Sequence, residues 1–106
     1  MPAKPNETPT QNQTVIRVDS LDRSVTLRRL RAMDKVEVGI RQAAMLRGVN
    51  PTNINEEAQG FSYMLCNLMV ALVEPSDFPF HELEDDDLLK LWKEWTDWGS
   101  SFRKAQ

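Results

Sequence analysis

The residues that could perform chemistry are few in this sequence. It contains one histidine, His81, and one cysteine, Cys66. Catalysis by a serine or cysteine needs a nucleophile, a base and a group that orients the base. His81 stands beside acidic residues in a predicted loop, whereas Cys66 stands among apolar residues in a predicted helix, where a thiol behaves as a small inert hydrophobe. We therefore expect no catalytic residue and no enzymatic activity.

An acidic run offers oxygen ligands that a hard cation could use. It contains Glu82 and residues 84–87, which are all Glu or Asp. Calcium prefers several oxygen ligands around a tight loop, but the glycine and the distal glutamate of the EF-hand pattern are missing here. Acidic residues are also favoured at the start of a helix, where they interact with the helix dipole. We expect a helix start, with no metal and no cofactor.

The net charge of −3 conceals an uneven distribution of charge. Residues 1–50 carry nine Lys or Arg and five Asp or Glu, a net charge of +4, whereas residues 51–106 carry four and eleven, a net charge of −7. Such a split favours electrostatic steering or head-to-tail association, so a homo-oligomer stays open. Because the total is acidic and no nucleic-acid motif accompanies the arginines, we expect no nucleic-acid partner.

Large aromatic residues are concentrated towards the end of the chain. Trp92, Trp95, Trp98 and Phe102 recur at three- and four-residue steps, and Phe78 and Phe80 belong to a preceding loop. Such residues form either a core or the anchors of a protein interface. Because a small domain has little room for all of them inside, we expect these six residues to include a partner-binding surface.

The elements that position these residues begin after a predicted disordered arm. Residues 1–13 include three prolines and almost no apolar side chains, so ordering them would cost entropy without compensating burial. Residues 14–18 and 24–28 are rich in β-branched side chains, and residues 19–23 between them are turn-like in composition. This pattern predicts a β-hairpin.

Three helices are predicted after the hairpin. The first starts at its N-cap Asp34 and is stopped by Gly48. Its apolar face contains Val36, Ile40, Ala43 and Ala44. The second is capped by Thr52 or Asn53 and extends through Val73. The third begins within residues 84–87 and has the clearest amphipathic pattern of the chain.

Together these elements predict an α+β fold, mainly α, in which an N-terminal hairpin packs on about three helices within a single domain, residues 14–106. The longest apolar run, residues 61–73, contains polar interruptions and is too short to cross a bilayer as a helix, so we expect no membrane partner. A single cysteine, with no basic segment followed by an apolar stretch at the start, favours the cytoplasm.

This organisation resembles that of the small tail assembly chaperones of long-tailed bacteriophages. The similarity covers residues 14–103 and includes residues 25–30 (Val-Thr-Leu-Arg-Arg-Leu), the helix start at Asp34, the apolar middle helix, and residues 88–95 (Leu-Leu-Lys-Leu-Trp-Lys-Glu-Trp). Members of that family bind the tape measure protein while tail tube subunits polymerise around it. The resemblance implies a chaperone without catalytic residues, a location in the host cytoplasm, and the tape measure protein as partner, with the tail tube protein as a further candidate.

Two other functions remain open. A small phage-encoded inhibitor of a host protein complex would share the size and acidity, and its acidic run would mimic nucleic acid. In a structural head-to-tail connector subunit, the N-terminal arm would become ordered, and the charge dipole would align, only when the subunits assemble.

Overall fold

The computed structural model of the chain describes residues 12–50 and 53–105, with the backbone alone from residue 102 onward. Most of the predicted arm, residues 1–11, lies outside the described residues. Its last two residues belong to the hairpin instead, because the Asn12 carbonyl accepts a hydrogen bond from the Arg29 N–H at 3.0 Å and Gln13 begins the first strand. The hairpin therefore starts earlier than expected.

The predicted hairpin is confirmed. Strand β1, Gln13–Val18, pairs antiparallel with strand β2, Arg23–Arg28, and Ile16 lies opposite Val25. One face of the pair is buried; it contains Ile16, Val18, Val25 and Leu27. Since side chains alternate between the two faces of a strand, this face supplies the apolar surface on which the sheet packs.

The turn of the hairpin is held by its own polar residues. The Asp22 N–H donates to the Asp19 carbonyl at 3.0 Å, and Asp22 adopts a left-handed conformation with φ of 53°. Aspartate tolerates this region better than most residues. The Arg17 guanidinium donates to the carboxylates of both aspartates.

The three predicted helices are also confirmed, as α1 (Ala32–Met45), α2 (Glu56–Ala71) and α3 (Asp85–Ala105). Two of the predicted caps are wrong. Asp34 lies in the first turn of α1, where its carboxylate accepts the Arg31 N–H at 2.7 Å. At the start of α2, the Asn55 side chain accepts the Ala58 N–H at 2.7 Å, so Asn55 takes the role expected of Thr52 or Asn53. Thr52 lies outside the described residues.

The end of α1 is formed by two residues with positive φ. Arg47 has φ of 54° and Gly48 has φ of 77°. The Gly48 N–H donates to the Ala43 carbonyl and the Arg47 N–H to the Ala44 carbonyl, both at 3.0 Å. These two bonds form a Schellman motif, which satisfies carbonyls that the helix leaves unpaired. The stop predicted at Gly48 is confirmed.

A third strand replaces the predicted end of α2. Strand β3, Leu72–Glu74, pairs antiparallel with β2 through Leu27 and Leu72, which makes a three-stranded sheet in the order β1-β2-β3. The residue before a proline disfavours the helical conformation, and Glu74 precedes Pro75. The prediction that the helix extends through Val73 is therefore wrong by two residues, because Leu72 and Val73 belong to this strand.

The chain divides into two compact units, each with its own packing. In residues 12–29 and 72–105, α3 packs on β1, and the Ser20 hydroxyl donates to the Asp87 carboxylate at 2.6 Å. In residues 30–50 and 53–71, α1 packs on α2. The predicted α+β class, mainly α, is confirmed, whereas the single domain over residues 14–106 stays a prediction. No helix within the described residues is long and apolar enough to span a bilayer.

Candidate partner-binding surface

The predicted aromatic surface on α3 is partly interior. Trp95 is buried, and its indole Nε1–H donates to the Arg28 carbonyl at 3.1 Å. The Trp92 ring lies 5.5 Å from the Trp95 ring at an interplanar angle of 56°. A buried tryptophan needs a hydrogen-bond acceptor for its indole N–H, and here the Arg28 carbonyl supplies it. Trp95 is therefore a core residue that anchors α3 to the end of β2.

The two loop phenylalanines are interior as well. Phe78 and Phe80 are both buried, and their rings meet edge to face with centroids 4.9 Å apart. The Phe78 N–H donates to the Pro75 carbonyl at 3.1 Å, which closes the loop that carries them. As core residues these two rings offer no exposed binding surface in this structure.

The remaining aromatic candidates differ in position. Trp92 and Trp98 are half-buried on α3, and Phe102 lies on the same helix, where the structure describes its backbone alone. The exposed large apolar residue on this helix, among those described, is Leu89 at 47%. Part of the aromatic content of α3 thus serves folding, since Trp95 is buried where α3 packs on β1.

Replacing Trp95 with phenylalanine should lower the free energy of unfolding by about 1 to 3 kcal/mol. The change removes the hydrogen bond to the Arg28 carbonyl and part of a buried ring. Urea denaturation followed by circular dichroism measures it. The matched control is Leu89→Ala on the exposed side of the same helix, which should change stability by less than about 0.5 kcal/mol. Equal effects of both changes would contradict the assignment of Trp95 to the core.

Exposed apolar side chains are concentrated instead on and just after α1. Of the nine large apolar residues that are exposed in the described part of the chain, five lie between residues 33 and 49. On the helix itself Met33 is 79% exposed, Val36 58% and Ile40 60%. These three residues follow the three- and four-residue spacing that places side chains on one face of a helix.

The opposite side of α1 faces α2. Val38 is buried, and the Gln42 side-chain amide donates to the Ser62 hydroxyl of α2 at 3.1 Å. Ser62 in turn donates to the Gln59 carbonyl at 3.0 Å. At 3.6 residues per turn, Val36 and Ile40 each project about 160° away from Val38 around the helix axis. The helix therefore has one apolar side that is covered and another that faces outward.

We call the outward side the α1 face; it consists of Met33, Val36, Ile40, Ala43 and Ala44, all exposed. The α1 face includes all four residues of the apolar face predicted for this helix. An apolar helix face normally packs against the core, whereas this one is exposed. Sequence reasoning did not propose these residues as a binding site. A usable signal was the presence of a second apolar side, because Val38 already offers an apolar residue for packing on the opposite side of the helix.

Charged side chains of the described residues pair mainly with residues nearby in the sequence. Glu37 and Arg41 form an ion pair of 3.1 Å along α1. His81 is exposed beside Glu82 at 3.7 Å. No group of three or more His, Cys, Asp or Glu within the described residues could hold a metal ion. In the acidic run, Asp87 accepts the Ser20 hydroxyl, so this carboxylate links the hairpin turn to α3.

Cys66 has the environment of an inert thiol. It is fully buried on α2, and burial raises the pKa of its thiol, an effect that the positive charge of Arg41 partly offsets. Because the thiolate is the reactive form, a raised pKa lowers reactivity at neutral pH.

Comparisons of the chain with protein-family models, curated proteins and solved structures found no match.

Proposed function

We propose that this chain is a non-enzymatic assembly chaperone that binds an apolar, helical protein through the α1 face, and that the partner is the tape measure protein of a long-tailed bacteriophage. The carrying observation is the exposure of Met33, Val36 and Ile40 on one side of a helix whose other side is already packed. The resemblance described above names the partner.

The geometry of the α1 face suits a helical partner. A contiguous exposed apolar surface on a small protein marks an interaction site more often than scattered single residues do. Anchors at the spacing of residues 33, 36 and 40 match the way an amphipathic helix is recognised by a groove or by another helix. A chaperone needs such a surface, because an aggregation-prone helical protein exposes apolar faces of its own.

Replacing Ile40 with glutamate should weaken partner binding at least about tenfold and reduce the soluble yield of the partner. The change places a charge at the centre of an apolar contact, and a buried unpaired charge costs more than the lost contact itself. The experiment co-expresses the tape measure protein with either chain and measures the soluble fraction and the pull-down yield. Circular dichroism of the variant should match the unmodified chain, since Ile40 is exposed.

The matched control is Val15→Glu. Val15 is 65% exposed on β1, so the same chemical change occurs on an exposed apolar residue of a different element. Binding should be unchanged in this variant. A third variant, Leu89→Glu, tests the exposed side of α3. Loss of binding in Leu89→Glu with full binding in Ile40→Glu would move the site to α3 and contradict the proposal.

The acidic run provides the test between the chaperone and the inhibitor. An acidic surface that mimics nucleic acid should bind with strong dependence on salt, whereas an apolar contact should change little between low and physiological ionic strength. Neutralising Asp85 and Asp86 to asparagine should leave binding to the tape measure protein intact. Binding that vanishes in that variant and in moderate salt would favour the inhibitor.

A further inference from the structure

Strand β1 is an edge of the sheet. In the order β1-β2-β3 it has one neighbour, and no other strand within residues 12–50 and 53–105 pairs with it. Its side chains alternate between two faces: Ile16 and Val18 are buried on the face where α3 packs, whereas Val15 is 65% exposed on the opposite face. The edge of the strand offers a third direction for contact, in the plane of the sheet.

Main-chain groups of three residues point in this direction. The Arg29 N–H donates to the Asn12 carbonyl at 3.0 Å, which makes these two residues a hydrogen-bonded pair of the hairpin. Hydrogen-bonded and non-hydrogen-bonded pairs alternate along an antiparallel ladder, so the N–H and C=O groups of every second residue of β1 point away from β2. These residues are Gln13, Val15 and Arg17.

The two edges of the sheet differ in their protection against a further strand. Proteins guard an edge with a short strand, a proline, a charged residue or an irregular register. Strand β3 has all four, because it is three residues long, ends at Glu74, is followed by Pro75 and shifts in register against β2. Strand β1 is six residues long, regular in register and without proline or lysine. The guanidinium of its one charged residue, Arg17, is held by the aspartates of the turn.

We propose that a second copy of this chain adds its own β1 to this edge, antiparallel and about a two-fold axis at Val15, so that two three-stranded sheets become one sheet of six strands. This register pairs Val15 with its own counterpart and Gln13 with Arg17 of the other copy. Every outward N–H and C=O group of β1 then has a partner. A shift of the register by two residues in either direction leaves one of the three residues without a partner in the strand.

The side chains agree with this register. Val15 and its counterpart are β-branched residues directly opposite each other, and such cross-strand pairs stabilise a sheet. No like charges lie opposite each other, because Arg17 meets Gln13, and the two copies of Arg17 are four residues apart along the strands, about 14 Å. An isologous contact of this kind removes the open edge of both copies at once, so the assembly closes at two.

The dimer does not depend on the proposed function, since it uses β1 and its tests use this chain alone. Val15 takes no part in the α1 face. The variant Val15→Glu therefore separates the two proposals: it should keep partner binding and lose the dimer, because the two-fold axis sets the two carboxylates opposite each other.

The first test is the mass of the full chain by sedimentation equilibrium. The unmodified chain should form a dimer of twice its 12.2 kDa mass. Val15→Pro removes an outward N–H and spares the ladder to β2, a position where an edge strand tolerates proline. Because each copy loses one hydrogen bond to the other, the dissociation constant should rise at least about tenfold. The control Val15→Thr keeps the N–H and the β-branched shape and should leave the dimer intact.

The second test is disulfide cross-linking across the two-fold axis. Cys66 is the chain's only cysteine and is buried, so a cysteine introduced on the surface reports alone. Val15→Cys should form a covalent dimer under mild oxidation, because the Cα atoms of a hydrogen-bonded pair lie about 5.5 Å apart, within the span that a disulfide bridges. The matched control is Val73→Cys on β3, which is also exposed. Its two copies would be five strand spacings apart, about 24 Å, and should not cross-link.

Two results would overturn the proposal. One is a chain that stays monomeric up to about 1 mM. The other is an oligomer that Val15→Pro leaves intact and that Val15→Cys does not cross-link, which would place self-association on another surface. If Val15→Pro loses the native circular dichroism spectrum, the comparison of Val15→Cys with Val73→Cys decides.

Discussion

Replacing Leu68 with alanine should lower the free energy of unfolding by about 2 to 5 kcal/mol. Leu68 lies on α2 and has no exposed surface. The substitution removes buried methyl groups and leaves a cavity that the surrounding side chains fill only in part. Chemical denaturation of the two proteins, monitored by circular dichroism, measures the change in the midpoint.

Leu65→Ala is the matched comparison for this change. Leu65 lies on the same helix but is only half-buried. Its loss should therefore cost less than that of Leu68, because part of its surface remains in water in the folded state. Costs that are equal, or near zero at both positions, would show that the packing of α2 differs from the structure described.

Leu27→Ala extends the same experiment to the other compact unit. Leu27 is fully buried on β2. If the chain unfolds as one cooperative domain, both Leu27→Ala and Leu68→Ala should shift a single transition seen by every probe. Two transitions, each moved by one variant alone, would contradict the predicted single domain.

Cys66 should react with a thiol reagent at least about 1,000-fold more slowly in the native chain than in the unfolded one. The thiol is fully buried, so the reagent must wait for an opening of α2 or of the whole fold. Burial also raises the pKa of the thiol, which keeps it protonated at neutral pH. Absorbance of the released chromophore, followed with and without urea, gives the ratio of rates.

The same thiol should make stability depend on alkaline pH. The folded pKa lies above the usual thiol value of 9.0, so the folded chain holds the proton more tightly than the unfolded chain. The thiol's contribution to stability is therefore fully present below pH 9 and is lost as pH rises through the folded pKa. Cys66→Ala removes this contribution and controls for other groups that titrate in that range.

In the thiol-reagent experiment, a native thiol that reacts within a few-fold of the unfolded rate would show that α2 opens readily.

Sequence alone does not separate the aromatic residues of a core from those of an interface. The large apolar rings that anchor an interface also suit a core, and the structure buries three of them, Trp95, Phe78 and Phe80. Trp95 is buried because α3 packs on a sheet whose apolar face includes Ile16, Val18 and Leu27. The α1 face contains smaller aliphatic residues and is the less conspicuous signal, although it is the more exposed.

Local signals were sufficient for the hairpin and for most of the helical residues, although not for strand β3. The hairpin follows from alternation in residues 14–18 and 24–28, and the start of α3 follows from the acidic residues before Leu88. The stop of α1 follows from Gly48, where positive φ favours glycine. Each of these features depends on residues within a few positions of one another, so the sequence contains the relevant interactions directly.

Tertiary structure decided which apolar surfaces are covered. Periodicity places Val36 and Ile40 on one side of α1 and Val38 on the other, but only packing on α2 shows that the Val38 side is buried. Strand β3 likewise exists because β2 offers backbone partners to Leu72, a contact that no local pattern reveals. Burial and strand pairing join residues far apart in the chain, and for that reason the candidate binding surface emerged only from the three-dimensional arrangement.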